Sequence, residues 1–276
     1  MKGACPLPCH NRRQRLVSLG IYVGSLTRYY AGDWETADPS QSQDPVGRYD
    51  IVHRGVAGPS ADDWTRIRES VLAWRELLNR ELSRPTRGPV SLANLQGYDA
   101  LFSAERTRLL KRPLDWDESD KAAWFVERPD WESYVGVLLL AAYAEHPQLR
   151  PPTRIPSNWA EDPAWHSSTA DNCRGSRYQQ IFRPELWLPG DFAVTFDAED
   201  PAGDRIVIGS SIALLEQLRD VERRAFDSQS SGARNLQELA EDAPSNFKSV
   251  ARGGFRVFLR LAEISVSDHL PMKLHY

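Results

Sequence analysis

The strongest periodicity in the chain runs from Ala61 to Ser83. Trp64, Ile67, Val71, Trp74, Leu78 and Leu82 recur every three or four residues and fall on one helical face, with Arg66, Arg68, Glu69, Arg75, Glu76 and Arg80 elsewhere. Ser60 and Asp63 supply a capping box at its start, and Arg84-Pro85 ends it. Leu101, Phe102, Leu109 and Leu110 predict a weaker helix from about Tyr98 to Lys111, stopped by Pro113. Trp131 to Glu145 is apolar on nearly every face, the pattern of a central, buried helix. Another helix opens at Ser210 or Ser211 and carries Ile212, Leu215, Leu218 and Val221. The last runs from about Ser249 to His269, before Pro271.

Period-two or short apolar runs predict strands at Leu19–Gly24, Tyr49–His53, Glu185–Leu188, Asp191–Asp197 and Arg205–Gly209. The last two flank the turn sequence Asp200-Pro201-Ala202-Gly203 and should form a hairpin. Met272–Tyr276, after Pro271, reads as an edge strand. Residues 147–180 hold five prolines and little periodicity, so they read as a long irregular stretch of the kind that often carries function. Strands that cluster rather than alternate with helices give an α+β fold. The expectation is about five helices around a small, mostly antiparallel sheet with a hairpin near 191–209, residues 17–276 forming one domain.

Charge sharpens this picture. The 276 residues carry a net charge of −4, but residues 1–16 hold Lys2, Arg12, Arg13 and Arg15 and no acid, which leaves −8 on the remainder. The first 16 residues read as a disordered basic tail, one that a start at Val17 would leave untranslated. An acidic body is a poor match to a phosphate backbone, so nucleic acid is not the expected partner; a basic protein suits it better. Of three cysteines, Cys5 and Cys9 lie in the tail and only Cys173 in the body, which argues against a disulfide scaffold and for a cytoplasmic home. No apolar run reaches the roughly 20 residues that span a bilayer, so no membrane association is expected.

Candidate chemistry concentrates in Thr27–Glu35. Arg28 offers a fork for a carboxylate or phosphate, Asp33 and Glu35 are possible bases, and Tyr29, Tyr30 and Trp34 are ring surfaces suited to stacking or to a protein contact. Arg28 pairing with Asp33, with the rings in the core, is the bland alternative. His53 and His166 are the histidines best placed to act as general bases, and Trp159 and Trp165 add aromatic surface in the irregular stretch. Asp115–Asp120 resembles half a calcium loop but lacks the glycine and the closing glutamate, and Asp197, Glu199, Asp200 and Asp204 are explained by turn chemistry. Neither these nor Cys5-Pro-Leu-Pro-Cys9-His10 makes a metal site, and no cofactor-binding signature is present. Leu26–Trp34 and Leu188–Phe192 resemble segments of bacterial proteins and imply no activity.

Three functions stay open. The leading expectation is a protein-binding module of the immunity or antitoxin type that neutralises a partner, anchored through Arg28, Tyr29, Tyr30, Trp34, Trp159 and Trp165. The alternatives are a hydrolase acting on a phosphorylated or nucleotide substrate through Arg28, Asp33, Glu35, His53 and His166, and a structural or assembly protein. Geometry separates the first two: an enzyme gathers its charged groups in one cleft, whereas a binder shows an exposed aromatic patch.

Overall fold

The computed structural model describes residues 19–34, 59–83, 110, 112–173, 175–226 and 246–276. The tail 1–16, the strand expected at Tyr49–His53, the helix expected from about Tyr98 (save Leu110) and the candidates Glu35 and His53 lie outside them.

Six strands form one sheet: β1 (Gly20–Val23), β2 (Phe125–Glu127), β3 (Leu186–Leu188), β4 (Phe196–Glu199), β5 (Arg205–Ser210) and β6 (Met272–His275). Their order is β2-β1-β6-β3-β5-β4. The neighbours are antiparallel except β3 and β5, which run parallel with Leu186 opposite Ile208. Seven helices accompany them among the described residues: α1 (Leu26–Ala31), α2 (Ala61–Ser83), α3 (Trp131–Glu145), α4 (Pro163–Cys173), α5 (Gln179–Phe182), α6 (Ser211–Phe226) and α7 (Phe247–Ser267). The expected mixed fold and mostly antiparallel sheet fit this arrangement.

The strand alternation sends side chains to two apolar layers. Ile21, Val23, Phe125, Trp187, Met272 and Leu274 pack with α3 to α7. On the opposite face, Leu186, Leu188, Ile206 and Ile208 meet Val71, Trp74, Leu78 and Leu82 of α2, the stripe legible in the sequence. Ser60 caps α2 as expected, its Oγ accepting from the Asp63 amide at 3.1 Å. α3 is buried on all sides and lies against α7, where Gly136 and Gly254 permit close approach; a Cβ at Gly136 would sit 2.8 Å from the Ala251 Cα.

Three local expectations are corrected. Residues 147–180 are not irregular throughout: a 3-10 turn (Trp159–Glu161), α4 and α5 occupy much of the stretch. Asp162 organises it, accepting from Ala164 N and from the Tyr143 hydroxyl of α3, a long-range tie that no periodicity reveals. The strand expected from Asp191 begins only at Phe196, because the preceding residues loop around Gly190. Finally, β6 is not an edge strand but lies between β1 and β3. Lys273 is buried there with a specific partner.

Candidate functional site

Ser25 and Gly32 bracket α1. The Ser25 hydroxyl accepts from the Arg28 amide at 3.3 Å, and Gly32 ends the helix in the left-handed region at φ 72°. Six residues cannot sustain a helix alone. The remaining support is remote: the buried Glu118 carboxylate accepts from Leu26 N at 3.0 Å, from Thr27 N at 2.8 Å and from Trp116 Nε1. Two other acids of that loop are also committed, Asp115 to Arg75 and Asp117 to the Ser119 amide.

Arg28 and Asp33 hold each other at 3.0 Å, both largely buried. The second guanidinium nitrogen donates to Asp120 O at 2.7 Å, and the group lies over the rings of Trp64 and Trp124. Trp34, 2% exposed, packs with Tyr22 and stacks on Tyr29 at 5.3 Å, and its Nε1 donates to Tyr29 O. Trp165 is buried between Trp159 and Phe182, and Trp159 is partly buried against the same core. His166 is exposed on α4, in the layer across the sheet from Arg28. Arg28, Asp33, Tyr29, Tyr30 and Trp34 therefore lie together, while Trp159, Trp165 and His166 form a separate group.

Beneath α1 lies a polar hub that the sequence does not announce. Lys273, pointing from β6 away from α3 and α7, approaches Asp200 to 3.5 Å, with side-chain exposures of 7% and 3%. Its ammonium faces the rings of Tyr29 at 5.3 Å and Tyr30 at 5.9 Å. Asp200 also accepts the Tyr30 hydroxyl at 2.6 Å, Ala202 N at 2.9 Å and Asp204 N at 3.0 Å, so the turn residue is at once a cap and a counter-ion. Burial lowers the Lys273 pKa against the pull of Asp200 and Glu185, and burial with the Asp200 bond raises that of Tyr30. Beside the hub the Tyr29 hydroxyl and His275 Nδ1 share a hydrogen bond of 3.0 Å. Every oxygen of Asp200 has partners, the arrangement of a tie between α1, the β4–β5 turn and β6.

The exposed aromatic surface lies elsewhere. Among the described residues, the large hydrophobic side chains left exposed are Leu77, Trp131 at 52% and Tyr276 at 36%. Trp131 opens α3 just after its Asp130 cap and stacks on Tyr134, with centroids 5.6 Å apart and planes at 11°. Tyr276 follows β6 and lies 6.2 Å from Trp131. Its hydroxyl neighbours the half-buried carboxyl of Glu185 at the head of β3. Sequence reasoning missed Trp131, Glu185, Lys273 and Tyr276. The available signal for Trp131 was a tryptophan standing at the first position of a helix, outside the buried run that follows it.

Compared with known proteins, the chain matches no family model, and no curated protein or solved structure matches it significantly.

Proposed function

We propose that the protein is a binding module that neutralises a basic protein partner, docked over Trp131 and Tyr276. The observation that carries this reading is the paired exposure of those rings, while Trp34 and Trp165 are buried. Exposed, rigid aromatics flanked by acid are the composition of an interface anchor. Asp130 and Glu132 flank Trp131 in the chain and Glu185 neighbours Tyr276. The charge of −8 beyond residue 16 favours a cationic partner and speeds its encounter.

The test has two stages. The N-terminally tagged chain is used to capture a partner from its host, and the purified partner is then titrated against wild type and Trp131→Ala. The reading requires a stoichiometric basic protein whose association slows with added salt and whose affinity drops at least tenfold in Trp131→Ala. A partner bound equally well by Trp131→Ala, or none at all under native conditions, refutes it. The hydrolase alternative draws on Lys273 and the Tyr29–His275 pair, since Arg28 and Asp33 are engaged with one another. Equal inactivity of wild type and Lys273→Met across phosphate esters and nucleotides disposes of that reading.

A further inference from the structure

Trp131 has one ring face on Tyr134, so its 52% exposure falls on the other face and the rim. The Tyr276 ring lies 6.2 Å from that of Trp131, with the two planes tilted by 37°. The Tyr276 hydroxyl leads to Glu185, whose backbone oxygen is pinned by Leu274 N at 2.8 Å. Burial raises the pKa of this carboxyl, with Lys273 and the Tyr276 hydroxyl pulling it back down. Lys273 lies on the other side of the sheet, committed to Asp200 and two tyrosine rings. The half-buried Glu185 carboxyl therefore stands beside Tyr276, whose ring neighbours Trp131.

Two exposed aromatic rings beside a carboxylate favour a cation over any neutral group. Between the two biological cations, the flat indole discriminates. A guanidinium stacks on it in plane and presents a fork to the carboxylate, whereas an ammonium is a compact, strongly hydrated charge that does neither.

We propose that Trp131, Tyr276 and Glu185 form a receptor for an arginine side chain of the partner. The proposal rests on reading this surface as the docking site, and it names what that surface recognises. The arginine lies over Trp131, its guanidinium toward Glu185, with Tyr276 as the wall between them.

The full chain is titrated with N-acetylarginine amide, with the lysine analogue, and with the uncharged isostere N-acetylcitrulline amide. The readout is the Trp131 indole N–H resonance, assigned by its loss in Trp131→Phe. The arginine compound should shift that resonance saturably, the citrulline compound should not, and Glu185→Gln should weaken the response about fivefold with the remaining spectrum unchanged. Tyr276→Leu, which keeps bulk but no π face, should weaken it as well. No saturable response, an equal response to citrulline, or an undiminished response in Glu185→Gln overturns the proposal. A lysine analogue that binds as tightly as arginine overturns the guanidinium assignment. A partner that depends on Trp131 while no arginine response exists removes the receptor and leaves the binding reading. An arginine response with no partner does the reverse.

Discussion

Lys273→Met provides the most informative perturbation of the interior. Methionine nearly preserves the volume and length of lysine, so the packing cost is small. What changes is the charge balance at Asp200, whose side chain is 3% exposed. Removing one partner of a buried ion pair costs about 3–5 kcal/mol, because the other charge is left without compensation. Asp200 keeps the Tyr30 hydroxyl and two backbone amides, which places the expected loss at the lower end, about 3 kcal/mol. For a chain of this size that corresponds to a fall in Tm of roughly 6–12 °C. Asp200→Asn should cost a similar amount, since its amide retains the turn hydrogen bonds but leaves Lys273 near Glu185 alone. The double variant removes both charges at once. Burial already disfavours the Lys273 cation, so losing the pair together should cost far less than the two single losses combined, with a coupling of at least about 1.5 kcal/mol. Urea melts of all four proteins at neutral pH measure the cycle. Single variants within 0.5 kcal/mol of wild type, or a double variant equal to the sum of the singles, refute the tie between β6 and the β4–β5 turn.

Other expectations test separate parts of the fold. Gly253 has open space where a Cβ would go, whereas a Cβ on its neighbour Gly254 meets the Ser133 backbone, so Gly253→Ala should stabilise by up to about 1 kcal/mol and Gly254→Ala should destabilise; thermal melts giving both the same sign refute the α3–α7 contact. Glu118→Ala leaves two buried amides and an indole N–H without their acceptor and should cost on the order of 4 kcal/mol, with hydrogen exchange at Leu26 and Thr27 accelerating first. Because burial raises the Glu185 pKa, the native state holds a proton that the unfolded chain has released, and this group's contribution to stability falls as pH rises from the unfolded to the folded value. Glu185→Gln lacks that titration, so its stability relative to wild type should climb as pH rises from about 4 toward neutrality; a pH-independent difference rules the burial argument out. Trp131→Ala removes an exposed ring and should leave the melting temperature within about 2 °C of wild type, which separates its effect on binding from misfolding.

The parts of this fold that the sequence reveals are those whose cause is local and repeated. α2, α3, α6 and α7 are long enough for their apolar positions to recur, and the Asp200–Gly203 turn announces the β4–β5 hairpin. α1 has only Ser25 and Gly32 as local marks, and its first amides are held by Glu118, 92 residues away. The burial of Lys273 is hidden for the same reason, since Asp200, Tyr29 and Tyr30 come from distant parts of the chain. The aromatic cluster of Thr27–Trp34 was visible, but composition does not distinguish rings that face solvent from rings that fill a core. Trp131 was hidden by the opposite effect, since it opens a helix whose next residues, from Tyr134 to Tyr143, are all buried.

The position of β6 bears on how the chain reaches this structure. Without it the sheet separates into β2-β1 and β3-β5-β4, and only β6 touches both. Every other described strand precedes it, and its register sets His275 opposite Gly20. During synthesis β1 and β3 therefore each keep an open edge until β6 has left the ribosome. Closing so long a loop costs little more free energy than closing a short one, about 0.6 kcal/mol per doubling, but it delays the step. Those waiting edges are where an exposed strand pairs with the wrong chain, so overproduction at high temperature is expected to favour aggregates before it lowers the stability of the finished protein.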